Sequence, residues 1–181
     1  MLEIVLGLAL WWAAHLFKRV APDARARMGN AGRALMSVAI LLGLALMILG
    51  YRGVETVDLW YPPAFLTHVN NLLMIFAFYL YAASGMKTRI TRVIRHPQLT
   101  AVKVWAVAHL LVNGDLASVL LFGGILAWAV VSVIVINRSD RDWARPAAAP
   151  MAKEVMAVVG TLVVVGVVMM IHNWLGVQPW G

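Results

Sequence analysis

Six long apolar stretches, parted by short polar ones, make up almost the whole chain. They predict membrane-crossing helices at 2–20, 32–51, 63–84, 98–113, 116–137 and 151–175. A helix rising 1.5 Å per residue needs ~20 residues to cover ~30 Å of hydrocarbon, and most of these stretches come near that length. The fourth is short and carries Lys103, so it is expected to begin or end below the membrane surface, sheltered by its neighbours. Pro62-Pro63 marks the start of the third, because proline is tolerated in the first helical turn. Residues 87–95 set Ile90, Val93 and Ile94 among four basic residues, a pattern that predicts a short helix lying on the membrane surface. Asn113-Gly114-Asp115 reads as a tight turn that makes spans four and five an antiparallel hairpin. We read no internal repeat. The fold class is all-α: a polytopic integral membrane helix bundle of about six transmembrane helices.

Charge adds the orientation. The basic residues bunch at 18–33, with five, at 87–95, with four, and at 138–153, with four, while the alternate loops hold almost none. Lysine and arginine collect on the cytoplasmic side. Both termini are therefore expected outside, in the periplasm, with three basic loops in the cytoplasm of a bacterium whose inner membrane holds the chain. No basic stretch precedes the first apolar run, so it predicts a retained span rather than a cleaved signal peptide. Composition agrees: 62% of residues are hydrophobic and 13% charged, against about 25% charged in a soluble domain. The net charge of +7 belongs to loops flanking membrane spans, so the expected partner is the lipid bilayer and not nucleic acid. With no cysteine, the chain has no disulfides, thiolate metal sites, iron–sulfur clusters or cysteine nucleophile.

Polar groups inside hydrocarbon cost several kcal/mol unless partnered, which singles out the histidines. His15, His68, His109 and His172 fall within predicted spans, and His96 sits where the fourth begins. Each alone is also what a hydrogen-bonded packing residue looks like, and His172 is expected to face water. On the fourth span, Gln98, Val102, Trp105, Ala106, His109 and Asn113 share a face by three- and four-residue steps, which should look into the bundle. On the first, His15 lies over Trp11 and Trp12, with Lys18 and Arg19 a turn further on. Tryptophan beside histidine suits the wall of a flat aromatic ligand. No G-x-S-x-G, no H-E-x-x-H and no pair of carboxylates within a span is present. Imidazole remains, and it suits haem iron, copper or zinc.

The segment 95–118, reading R-H-P-Q-L-T-A-V-K-V-W-A-V-A-H-L-L-V-N-G-D-L-A-S, resembles the core signature of the NnrU family. Its marks are Arg95-His96-Pro97 at a helix start, the W-A-x-A-H-L-L run, and Asn113-Gly114-Asp115 leading into the next span. The first span, with His15 followed by a basic loop, is also similar, so the resemblance implies one NnrU-like transmembrane domain over 1–181. Bacterial members of that family are associated with denitrification and nitric oxide metabolism. A plant and cyanobacterial relative, 15-cis-zeta-carotene isomerase, binds haem b through histidines that match His15 and His109. The resemblance thus implies haem b held by His15 and His109 in an accessory, sensor or redox component. Trp12 and Trp105 would wall the cofactor, and Arg19 and Lys103 would meet its propionates. The isomerase has a cysteine where this chain has Ala106, which removes any ligand exchange through that thiol. Alternatives are a haem-dependent cis–trans isomerase of a hydrophobic polyene, and a cofactor-free partner in assembling a membrane complex. On the predicted topology His15 lies about 20 Å below the outer end of its helix and His109 about 6 Å from the end of its own. His68 is therefore kept as a substitute partner for His109.

Overall fold

The computed structural model describes residues 1–147 and 149–179. The chain is helical: α1 (Leu2–Val20), α2 (Pro22–Arg27), α3 (Gly29–Gly53), α4 (Leu66–Met86), α5 (Pro97–Val112), α6 (Leu116–Ser139) and α7 (Met151–Trp174), with a 3-10 turn at Arg89–Arg92. Four of these, α3, α4, α6 and α7, are long and apolar enough to cross a membrane by length and composition. The chain is on that basis a multi-pass membrane protein. The 19-residue α1 carries Glu3, Lys18 and Arg19 at its ends, and α5 is a shorter apolar helix of 16 residues. Each stretch expected to span the membrane thus lies on one helix.

Three local expectations are corrected. The helix α2 was not anticipated; Pro22 starts it and six residues complete it. The third span begins at Leu66 rather than at Pro63, whose carbonyl instead accepts from the Leu66 N–H at 3.0 Å. The basic stretch after α4 forms its short helix as a four-residue 3-10 helix, Arg89–Arg92, and not as an α-helix. Lys87 takes a left-handed φ of 56° and stops α4. The Arg89 N–H then donates to the Glu154 carboxylate at 2.7 Å, and the Thr91 hydroxyl donates to the Thr88 carbonyl at 2.8 Å. Those bonds draw the chain into a tight corner.

Packing divides the chain into two compact units, Met1–Trp60 with Gly114–Ser139, and Tyr61–Asn113 with Asp140–Gly181. The turn at Asn113-Gly114-Asp115 is present, but α5 belongs to the second unit and α6 to the first.

In the first unit α1 lies against α3 through glycine. A Cβ on Gly7 would stand 2.6 Å from the Gly43 carbonyl oxygen, and one on Gly50 would stand 2.7 Å from the Glu3 Cβ. Hydrocarbon gives no hydrophobic force between helices, so close backbone contact is what holds them. The helix α6 returns to α1 at Gly124, where a Cβ would lie 2.6 Å from Leu8 and the Trp12 Nε1–H donates to the carbonyl at 3.1 Å. At the other end of α6 the segment 57–60 runs beside its start. Leu59 and Trp60 N–H groups donate to the Gly114 carbonyl at 2.7 and 3.0 Å, and Leu116 N–H to that of Val57 at 2.9 Å.

In the second unit α4 is the centre, with α5 and α7 both packed on it. The contacts are again small: Ala77 and Ala83 on α4, Ala101, Ala106 and Ala108 on α5, and Ala157 and Thr161 on α7 are all buried. Thr161 satisfies its hydroxyl within its own helix, donating to the Ala157 carbonyl at 2.7 Å. Asn71 Nδ2 donates to the Pro179 carbonyl at 2.9 Å.

Candidate functional site

The candidate chemistry lies on two helices, one in each unit. On α1 the His15 Nδ1 stands 2.8 Å from the Trp11 carbonyl oxygen. A carbonyl only accepts, so Nδ1 carries the proton and Nε2 keeps a bare lone pair. The Trp11 ring tilts over the imidazole with centroids 4.2 Å apart. From α6, Trp128 closes the group at 4.8 Å from His15 and 5.4 Å from Trp11. Trp128 is 7% exposed, and the indole N–H groups of Trp11 and Trp128 are both buried without a hydrogen-bond partner among the described residues. Trp12 is turned to another task, donating to Gly124 of α6. Arg19 is exposed in the last turn of α1.

On α5 the arrangement recurs. His109 Nδ1 lies 2.9 Å from the Trp105 carbonyl oxygen, and the two rings tilt against each other at 4.9 Å. The same reasoning puts the proton of this imidazole on Nδ1. Asn113 then closes the helix, with its backbone N–H and its side-chain Nδ2 both donating to the His109 carbonyl at 3.0 and 2.8 Å. Lys103 is half-buried on the same helix. His172 on α7, assigned to water by the sequence, lies within electrostatic reach of His109. It too has Nδ1 against an i−4 carbonyl, that of Val168, at 2.8 Å. His68 is exposed in the first turn of α4.

The likeness of the two helices is present in the sequence, although spans one and four look unrelated until their imidazoles are seen bonded alike. Trp11-Trp12-Ala13-Ala14-His15-Leu16 and Trp105-Ala106-Val107-Ala108-His109-Leu110 share W-x-x-A-H-L. Four residues put the tryptophan one turn before the histidine, so its carbonyl meets Nδ1 and its ring meets the imidazole face. In both, the alanine before the histidine is buried. Trp128 carried no such signal, since one tryptophan in an apolar span reads as packing.

The other marks of the 95–118 segment have structural work. Arg95 sends its guanidinium to the Asp140, Arg141 and Asp142 carbonyls, with the Asp140 carboxylate 3.9 Å away. His96 takes the N-cap position of α5 and Pro97 the first helical position. Gly114 is required by proximity, for a Cβ there would overlap the Trp60 carbonyl. Asp115 caps α6: its carboxylate accepts from the Ser118 N–H at 2.9 Å and the Ser118 hydroxyl at 2.6 Å.

The NnrU protein family model matches residues 3–179 of this chain. The chain belongs to the NnrU family. No curated protein and no solved structure matches it. The donor chemistry of this NnrU chain fits a haem. A histidine that would hold haem iron through one ring nitrogen needs the other fixed by an acceptor, and both His15 and His109 have Nδ1 fixed on a backbone carbonyl. Among the described residues no three histidine, aspartate or glutamate side chains gather as a cage for a single ion.

Proposed function

We propose that this NnrU protein binds haem b in the bacterial inner membrane, with His15 and His109 as axial ligands. In this reading it serves nitric oxide metabolism and denitrification as an accessory, sensor or redox component. One observation carries the proposal: two helices repeat W-x-x-A-H-L, and each repeat holds its imidazole through Nδ1 on the carbonyl of the tryptophan one turn before it. Trp105 and the Trp11–Trp128 pair supply aromatic walls, and Arg19 and Lys103 supply cations for propionates. Haem b, when bound, brings an iron able to accept single electrons and small ligands. What the chain itself contributes is orientation of the imidazoles and an apolar, water-poor surrounding, which tunes the iron. The topology proposed with it has six spans, both termini periplasmic and the three basic loops cytoplasmic, supported by the placement of lysine and arginine.

The test is an absorption spectrum of the detergent-solubilised protein, oxidised and dithionite-reduced, after haem reconstitution. A Soret band with the sharp visible bands of a six-coordinate haem is expected. His15→Ala and His109→Ala should each convert it to a five-coordinate or empty form. A wild type with no Soret band, or unchanged spectra in both variants, overturns the reading.

A further inference from the structure

The first unit carries a basic collar that the haem reading does not use. Lys18 and Arg19 end α1, Arg25 and Arg27 end α2, and Arg33 lies in the first turns of α3. Five cations therefore ring the neighbouring ends of two packed helices, and no residue of α2 is buried. Lys18, Arg19, Arg27 and Arg33 are exposed. Asp23 is the one carboxylate in the stretch, and none of the five cations forms an ion pair among the described residues. Two of the side chains are already ordered. Arg25 lies on Gly32, where a Cβ would come within 2.8 Å of its Nη1, and it donates to the Gly29 carbonyl at 3.1 Å. Arg33 donates to Asn30 Oδ1 at 2.6 Å. Both contacts are to neutral oxygens, so the charges stay unneutralised. The basic stretch of the second unit differs, since Arg95 there is spent on Asp140 and the adjoining carbonyls. Topology alone asks for cations near the membrane, whereas ordering them without an internal counter-charge leaves room for an external one.

We propose that Lys18, Arg19, Arg25, Arg27 and Arg33 seat the phosphate headgroup of an anionic phospholipid. The acyl chains would lie along the apolar outer faces of α1 and α3, where Val20, Leu35, Val38 and Leu42 are exposed. Arginine forks match phosphate oxygens in pairs, and the unneutralised cations favour a lipid of net negative charge over a zwitterionic one.

The experiment is thermal unfolding and lipid retention by native mass spectrometry on the full chain in neutral detergent. Phosphatidylglycerol, phosphatidylcholine and inorganic phosphate are the probes. Phosphatidylglycerol should raise Tm and stay bound, phosphatidylcholine and phosphate should not, and high salt should erase the difference. The triple variant Arg25→Gln/Arg27→Gln/Arg33→Gln should bind phosphatidylglycerol roughly 100-fold more weakly, at about fivefold per arginine. If that variant does not fold, Arg27→Gln alone should show the fivefold loss, and Arg27→Lys, which keeps the charge but not the fork, should restore binding only in part. Equal retention of phosphatidylcholine, an equal shift with free phosphate, or a glutamine variant that keeps the preference overturns the proposal.

Discussion

The Tyr51 hydroxyl stands 2.8 Å from Ser118 Oγ, and this bond fastens the end of α3 to the start of α6. Asp115 sets its direction. The Ser118 hydroxyl donates to the Asp115 carboxylate, so it can only accept from Tyr51. Ser118 is fully buried, and Phe122 packs edge-on against the Tyr51 ring at 6.0 Å. A chain of three polar groups, Tyr51, Ser118 and Asp115, thus joins the end of α3 to the start of α6.

Asp115→Ala should be the costliest break in that chain. It removes the helix cap, worth about 1 kcal/mol, and strips a buried hydroxyl of its acceptor, worth about 1–3 kcal/mol more. Tyr51→Phe should cost only about 1 kcal/mol. Denaturant or thermal unfolding in detergent checks the order, and the double variant should cost less than the sum because the sites share a partner.

Gly114 and Gly160 give opposite forecasts for the same substitution. Gly114→Ala forces a Cβ into the Trp60 carbonyl, so the 57–60 segment must leave its bonds to Gly114 and Leu116. A fall in Tm and faster amide exchange at Leu59, Trp60 and Leu116 are expected. Gly160→Ala enters open space on α7 and should be neutral or stabilising by about 0.5–1 kcal/mol. A stable Gly114→Ala protein with unchanged exchange contradicts the packing described.

Trp128 bears on His15 through its ring. Trp128→Phe keeps an aromatic wall and should leave the reconstituted Soret band in place. Trp128→Ala opens a cavity beside the imidazole, costs about 3–5 kcal/mol, and should weaken haem retention. Titration of haem into both variants separates the two outcomes; equal retention would mean that the ring does not hold His15.

His172 offers an electrostatic check on His109. If the proposed haem is held by His109, a fixed cation at position 172 would favour the reduced iron, so His172→Lys should show a higher midpoint potential than His172→Gln. A unit charge ~10 Å away at an effective dielectric of ~20 contributes about 2 kcal/mol, which means tens of millivolts. Potentiometric titration reads the shift, and equal potentials in the two variants would place His172 out of reach.

Arg95→Ala should free the 140–142 segment, seen as faster hydrogen exchange there with the helices unaffected. Arg95→Lys should rescue it poorly, since an ammonium lacks the fork that reaches three carbonyls at once.

The sequence by itself determined the place of the four long apolar helices α3, α4, α6 and α7, because hydrocarbon tolerates only uncharged stretches that satisfy their own backbone. It also held both W-x-x-A-H-L elements, whose bonds run within one turn. Partners distant in the chain were another matter. That α6 returns to α1 and α3, that Gly114 makes way for Trp60, and that Trp128 reaches His15 were decided by tertiary packing. Lipid-like apolar surface looks the same on every side of a helix, and only close fit between small residues chooses which faces meet. The corner at Arg89–Arg92 belongs with these, for the Arg89 N–H is held by Glu154 of α7, distant in the chain.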